Sequence, residues 1–379
     1  MKSKDQEFTF FIVAGEPSGD LHGAKLINAI KAVKKNARFV GHGGEEMKKS
    51  GLEMMYHTDS LAVMGFSEVI KHFPFLLNVM GESLGKLREL RPDRIILIDY
   101  PGFNLRLAKN ASGLNIPISY FILPQLWAWK ENRIKSFHKY IDQALSIFPF
   151  EQDWYRSKGV NANYLGHPFT EIESNKITRK EYLEKNNISK NEVLLVLLPG
   201  SRQQEIDRHF SLYLEAAKNL QKDNKKIRII IGKSSGVKLP EVDSSVLIET
   251  KNIKNAMEFA KAAIVTSGTA SLECAVLDTP QIVCYKLSTV SGYIAKKLNK
   301  APYISMVNLI AKTAIVPELI QGKVSIKNIM KEIEPLLYNR IVRKKMLEGY
   351  TGVRKSLGLP GVYERAAQVI IKRTENAKS

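Results

Sequence analysis

FTFFIVAGEPSGDLHGAKLINAIKAVKKNARFVG, residues Phe8–Gly41, carries the reading that decides the fold. A β-rich apolar run, Phe8–Ala14, meets a glycine-rich turn. Leu21–Lys34 follows with apolar residues at helical spacing, and Arg38–Gly41 returns to strand character. A strand, an amphipathic helix and a second strand make a βαβ unit, whose strands lie parallel. The pattern continues outward. Arg94–Ile98 (RIILI) and Ile118–Leu123 read as buried strands, and Thr170–Asn191, dense in charge, reads as a linker. A second series then begins with the strand Val193–Leu198 (VLLVLL), the helix Phe210–Leu220, and strands Ile227–Ile231, Ala263–Thr266 and Gln281–Tyr285. Two successive α/β halves are expected.

Composition agrees. At about 100–200 residues per domain, 379 residues make about two domains, each able to bury its own core. With 44% hydrophobic residues and no low-complexity tract, disorder and fibrous folds are excluded. The two cysteines, Cys274 and Cys284, lie in no Cys-x-x-Cys or Cys/His cluster, which gives a disulfide framework or a structural zinc no support and fits a reducing compartment. The apolar stretch near the N-terminus is too short for a signal peptide, and no run of 18 apolar residues exists to span a bilayer. The expectation is a soluble protein, or one that meets a membrane from one side. The net charge of +19 raises the local concentration of anionic partners. Lys323–Ser379 concentrates it, with 13 Lys+Arg against 5 Glu. Aromatic residues do not interleave with basic ones as in base-stacking modules, so nucleic acid is not an expected partner.

Small-residue turns follow the strands at chemically suggestive places. Val193–Leu198 ends in Pro199-Gly200-Ser201-Arg202, and Ala263–Thr266 ends in Ser267-Gly268-Thr269 before a helix. A glycine turn at a helix start offers N–H groups to an anion, and Arg202 adds a bidentate grip. Each turn alone is ordinary cap chemistry; two on neighbouring strands suit a diphosphate. Neither matches the P-loop, and Gly-x-Gly-x-x-Gly is missing, which excludes ATPase and nicotinamide readings. In the first half, the turn after Ala14 holds Glu16, Asp20 and His22, where open α/β sheets bind ligands. Asp99 follows RIILI in Ile98-Asp99-Tyr100-Pro101-Gly102, placed either for chemistry or for capping the next helix.

Motifs in order complete the reading: AGEPSGDLHGA (14–24), MGFSEV (64–69), IDYPGFN (98–104), QLWAWKENRIK (125–135), FPFE (148–151), GHP (166–168), LPGSRQQEI (198–206) and TSGTASLE (266–273). The chain resembles the lipid-A-disaccharide synthase family over about residues 13–317. The resemblance implies a fold of two Rossmann-like domains facing a cleft (GT-B type), with a C-terminal helix that returns to the first domain. The expected division is 1–170 plus about 345–379, acceptor- and membrane-facing, and 171–344, UDP-sugar-binding. It implies a glycosyltransferase of Gram-negative lipid A biosynthesis, joining UDP-2,3-diacylglucosamine to 2,3-diacylglucosamine 1-phosphate. The products are a β-1,6-linked disaccharide and UDP, with inversion at the donor anomeric carbon. The competing reading is another UDP-sugar enzyme of the fold, such as a UDP-N-acetylglucosamine epimerase. No cofactor and no metal are expected, and the missing Asp-x-Asp disfavours the metal-dependent single-domain glycosyltransferases.

The resemblance implies roles. Asp99 is the expected base for the acceptor hydroxyl, with Glu16 and Asp20 as competitors or orienting groups. Gly200, Ser201, Arg202, Ser267, Gly268 and Thr269 are expected on the diphosphate, Glu273 on the ribose, and Asn308, in MVNLI, in the substrate site. The family often has a second acid where this chain has Gly102. Acylated substrates imply contact with the cytoplasmic face of the inner membrane, and the family implies a homodimer with exchanged C-terminal parts. The apolar stripe Phe66, Val69, Phe73 with Phe75, Leu76 and Leu77 around Pro74 is the expected membrane or acyl contact; such a stripe also suits a core helix. Trp127 and Trp129, followed by Lys130, Arg133 and Lys135, read as an interfacial anchor or as a packed wall.

Overall fold

The computed structural model describes residues 7–61, 66–128, 131–171, 177–287 and 302–378, with backbone alone for 66–73 and 378. The chain divides into two compact units, residues 1–171 with 358–379, and 172–357.

In the first unit, seven strands form one parallel sheet: β1 Thr9–Ala14, β2 Arg38–Gly43, β3 Leu52–His57, β4 Arg94–Ile98, β5 Ile118–Phe121, β6 Gln143–Ser146 and β7 Ala162–Tyr164. Their spatial order is β3-β2-β1-β4-β5-β6-β7. The run of Phe and Ile in β1 is buried throughout because parallel strands carry helices on both faces. The order reverses between β1 and β4, which pair from Phe10↔Arg94 to Ala14↔Ile98, so their carboxyl ends finish level. That reversal opens the crevice in which sheets of this kind hold ligands.

The second unit repeats the plan with six parallel strands: β8 Val193–Leu198, β9 Ile227–Gly232, β10 Leu247–Glu249, β11 Ala262–Thr266, β12 Gln281–Tyr285 and β13 Glu318–Ile320. Their order is β10-β9-β8-β11-β12-β13, and the reversal falls between β8 and β11, paired up to Leu198↔Val265.

The final helix, Val362–Lys378, packs on the first helix, Pro17–Val33. It buries Val362, Ala366, Ala367 and Ile370, and it is fastened by a fully buried arginine. Arg94, at the start of β4, donates Nε to Thr374 Oγ1 (2.9 Å) and Nη1 to Asp142 Oδ2 (2.7 Å). Arg373 takes the other Asp142 oxygen at 2.8 Å. Burial alone would raise the Asp142 pKa, and the hydrogen bonds from Arg373 and Arg94 outweigh it and hold that carboxyl below its usual value.

Two boundaries differ from expectation. Residue 345 falls inside the helix Arg340–Ser356, which stays with the second unit because Met346, Tyr350 and Val353 are buried there. Tyr350 donates to the Thr279 carbonyl and accepts from Gln281 Nε2. The chain therefore rejoins the first unit at Gly358. The expected linker 170–191 contains a helix, Arg179–Lys185, started by a Thr178/Glu181 capping box and buried through Tyr182 and Leu183. Among the described residues no helix is long and apolar enough to cross a membrane.

Candidate active site

At the reversal in the first unit, the turns after β1 and β4 pack directly on each other. A Cβ on Gly15 would overlap the Tyr100 ring, so glycine is required there for the two turns to touch. Asp99 and Tyr100 both adopt positive φ, 43° and 47°, an uncommon conformation for residues with side chains. Two strained residues in succession cost about 1–3 kcal/mol each and persist only when their surroundings enforce them. Here the enforcement is visible. The Asp99 carbonyl accepts from Asn104 Nδ2 (2.7 Å) and from the Tyr120 hydroxyl (2.5 Å), and its N–H donates to the Phe121 carbonyl at 3.1 Å. Tyr100 donates to the Leu61 carbonyl at 2.8 Å.

This backbone lifts Asp99, half-buried, to the end of β4. Glu16, also half-buried, precedes the helix Pro17–Val33 and faces Tyr100: burial first, then the Glu16 charge, raises the Tyr100 pKa. Two carboxylates thus flank the crevice end of the first sheet. Gly102 is exposed, and a side chain added there would meet open space.

Asp20 is not with them. It is 7% exposed, and its carboxylate accepts from the backbone N–H groups of Gly44 (2.7 Å), Met47 (2.9 Å) and Glu46 (3.0 Å). It caps the helix Glu45–Lys49 from a distant part of the chain. Asp20, expected as a competing base or orienting group, spends both carboxylate oxygens on this cap. His22 is likewise inward, its Nδ1 2.8 Å from the Tyr363 hydroxyl. Burial, with Lys25 nearby, lowers its pKa to about 4, so it docks the final helix as a neutral ring.

In the second unit the two turns lie at the ends of β8 and β11. Gly200 has φ 133°, and a Cβ there would overlap Glu205, so no other residue fits this turn unchanged. Ser201 and Arg202 are exposed at the start of the helix Gln203–Asp223. Their backbone N–H groups, expected to face an anion, donate to Glu205 Oε2 at 2.9 and 3.3 Å. The Glu205 carboxylate thus holds those amides, a half-capping box. Across the reversal, Gly268 and Thr269 are exposed at the start of the helix Thr269–Val276, while the Ser267 hydroxyl donates inward to the Ile304 carbonyl at 2.8 Å. Glu273, one turn on, is half-buried with its pKa raised by burial and partly restored by Lys254.

Asn308 is fully buried, with its amide spent inside the fold. Oδ1 accepts from Ile315 and Val316 N–H at 2.7 and 3.0 Å; Nδ2 donates to Val316 O and Glu318 Oε1 at 2.9 and 2.8 Å. These bonds make Asn308, expected in the substrate site, the residue that shapes the turn before β13.

The expected membrane stripe divides. Phe66, Val69 and Phe73 lie on the helix Phe66–Leu90 with side chains outside the described residues. Phe75 and Leu76 are half-buried against the core, Phe75 edge-on to Tyr56 at 5.7 Å, and Leu77 is 55% exposed. Trp127 is turned inward, its Nε1 donating to Glu151 at 3.2 Å, which favours the packed wall; Trp129 and Lys130 lie outside the described residues. Glu151 itself carried no signal beyond its place in FPFE.

Compared with known proteins, residues 10–369 match the family model described as Lipid-A-disaccharide synthetase. A lipid-A-disaccharide synthase of Syntrophus aciditrophicus is 36% identical, the match covering 96% of this chain and 98% of the relative. Among solved structures, the glycosyltransferase of kitacinnamycin superposes with TM-score 0.66 at 12% identity, over 97% of this chain and 99% of that one. The UDP-GlcNAc 2-epimerase of Neisseria meningitidis gives the same TM-score, identity and coverage, so these two likenesses speak to the fold alone.

Proposed function

The chain belongs to the lipid-A-disaccharide synthase family and is a glycosyltransferase; from that premise we propose its substrates and the role of each residue. The donor is UDP-2,3-diacylglucosamine and the acceptor 2,3-diacylglucosamine 1-phosphate. The acceptor 6-hydroxyl oxygen attacks the donor anomeric carbon, the bond to the diphosphate breaks, and UDP leaves with inversion. Asp99 takes the hydroxyl proton. The observation that carries this is the strained turn that raises a half-buried carboxylate at the reversal of the first sheet. Glu16, across the same turn pair, orients the acceptor.

Arg202 and the Gly268–Thr269 helix start hold the leaving diphosphate, where aligned N–H groups and a guanidinium oppose the developing charge. Gly200, Ser201 and Ser267 shape those turns, and Glu273 receives the ribose hydroxyls. Acyl chains bring the enzyme to the cytoplasmic face of the inner membrane through the exposed Leu77 and the start of its helix, with Phe66, Val69 and Phe73. The enzyme works as a homodimer.

The test incubates the purified protein with both substrates in detergent beside an Asp99→Asn variant, following disaccharide by mass spectrometry. Product from the parent and a loss of about 10²-fold or more in kcat for the variant support the assignment. Product from both at similar rates moves the base to Glu16. No product from the parent, with UDP still bound, rejects the named reaction.

A further inference from the structure

We propose that Glu151 is a positioning residue for the chemistry at Asp99, its carboxyl fastening the loop after β5 to the helix after β6. Glu151 sits in the first turn of the helix Pro149–Ser157 and is completely buried. Its Oε1 accepts the Trp127 indole N–H at 3.2 Å, and its Oε2 has no partner among the described residues. The two segments it joins flank Asp99. The turn after β4 is tied to β5 by Asp99 N–H to the Phe121 carbonyl, and β5 to β6 by Ile122 N–H to the Leu145 carbonyl. Tyr155, one turn beyond Glu151, donates to the Pro124 carbonyl in the same loop at 2.7 Å. A carboxyl that only packed the core would leave no oxygen orphaned, since buried polar groups are ordinarily paired.

The carboxyl performs this role uncharged. With only two neutral donors near its oxygens, the Trp127 indole and the Phe148 backbone N–H, and with Oε2 left unpartnered among the described residues, an ionised carboxylate here would cost several kcal/mol, so the site retains the proton on Oε2. Burial pushes the Glu151 pKa up to about 8, the Trp127 hydrogen bond opposes the rise, and the Asp99 charge adds to it. The other titratable groups facing this cluster are Tyr120 from β5, Tyr155 from its own helix and Arg133, which acts on Tyr120. His167 lies beyond Phe148, its ring 4.9 Å from that ring and its pKa lowered to about 3 by burial. A neutral Glu151 adds no negative charge behind Asp99, the separation of roles by environment that acid–base sites use. Ionisation of Glu151 would place a second negative charge near Asp99 in a closed pocket, where it strengthens the Trp127 hydrogen bond but is solvated only if water enters and disturbs the loop.

This inference rests on the reading of Asp99 as the base, and the experiment separates the two. kcat and KM are measured from pH 6 to 9.5 for the parent, Glu151→Gln and Trp127→Phe, alongside tryptophan emission over the same range. The parent is expected to lose kcat on an alkaline limb near pH 8 with KM nearly constant. Glu151→Gln keeps kcat within about threefold at pH 7 and lacks the limb. Trp127→Phe, which deletes the N–H that favours the charged form, moves the limb to higher pH. Emission of the parent changes across the limb and that of Glu151→Gln stays flat. An identical limb in parent and Glu151→Gln, or a limb unmoved by Trp127→Phe, overturns the proposal. If the parent forms no disaccharide, the reaction reading fails separately and the emission titration alone decides: a change in the parent absent from Glu151→Gln upholds the buried proton, and equal curves refute it.

Discussion

Replacing Glu151 by glutamine should remove a pH dependence from the stability of the first unit, and the size of the effect follows from the burial of one carboxyl. In the unfolded chain this acid ionises near its ordinary pKa of 4.5; in the fold it ionises near 8. Between those values the unfolded state has released a proton that the folded state keeps, so stability falls as pH rises, by about 1.4 kcal/mol per unit. The proton's contribution is whole below pH 4.5, declines up to about 8 and is then spent. From pH 5 to 7.5 the parent should lose about 3 kcal/mol relative to Glu151→Gln, which carries no titrating group there. Trp127, Trp129 and Trp154 all lie in the first unit, so urea unfolding followed by tryptophan emission reports that unit. The quantity to compare is the difference in unfolding free energy between the two proteins at pH 5, 6, 7 and 7.5, with equal denaturant slopes as the check on two-state behaviour. Parallel curves with a constant offset would refute the reasoning, since they mean that Glu151 is ionised in the fold at neutral pH.

Other expectations follow from the same geometry. Asp20→Asn should keep kcat within about threefold and lower the thermal stability of the first unit by about 1–2 kcal/mol, because it weakens a cap of three backbone donors; a 10²-fold loss of kcat at unchanged stability would return Asp20 to the chemistry. Arg94→Met should cost about 3–5 kcal/mol, since it leaves Asp142 short of a buried partner and frees Thr374 on the final helix. Protease protection of residues 362–378 would fall in step, and an unchanged melting curve would contradict the account. Gly200→Ala should raise the donor KM at least about tenfold while leaving acceptor binding intact, because the added methyl meets Glu205 in a turn with φ 133°. Isothermal titration with UDP is the direct measurement.

Most of the fold was legible in local pattern. Strands β1, β4 and β8 are continuous apolar runs, and the helices after β1 and β8 show the apolar spacing of a half-buried surface. The short edge strands β3, β7, β10 and β13 were not legible, because three to six residues such as ELI or ANY become strands only by pairing with a neighbour already in place. The helix Arg179–Lys185 hid in a charged stretch because two buried residues, Tyr182 and Leu183, suffice to dock it.

The sequence by itself determined the two α/β halves, the family, and the turns at which ligands are expected, since these depend on neighbours along the chain: glycine after a strand, a carboxylate after RIILI. Tertiary structure alone decided what the polar side chains do. Asp20 and Asp99 each follow a strand and look alike in one dimension, yet Gly44, Glu46 and Met47 bring three N–H groups to Asp20, while Asn104 and Tyr120 grip the Asp99 main chain and lift its carboxyl. Asn308 is consumed by residues seven to ten positions away. Glu151 became conspicuous only once the fold had closed around it. The charge and availability of a polar group are set by the donors, acceptors and water around it, and only the folded chain brings those together.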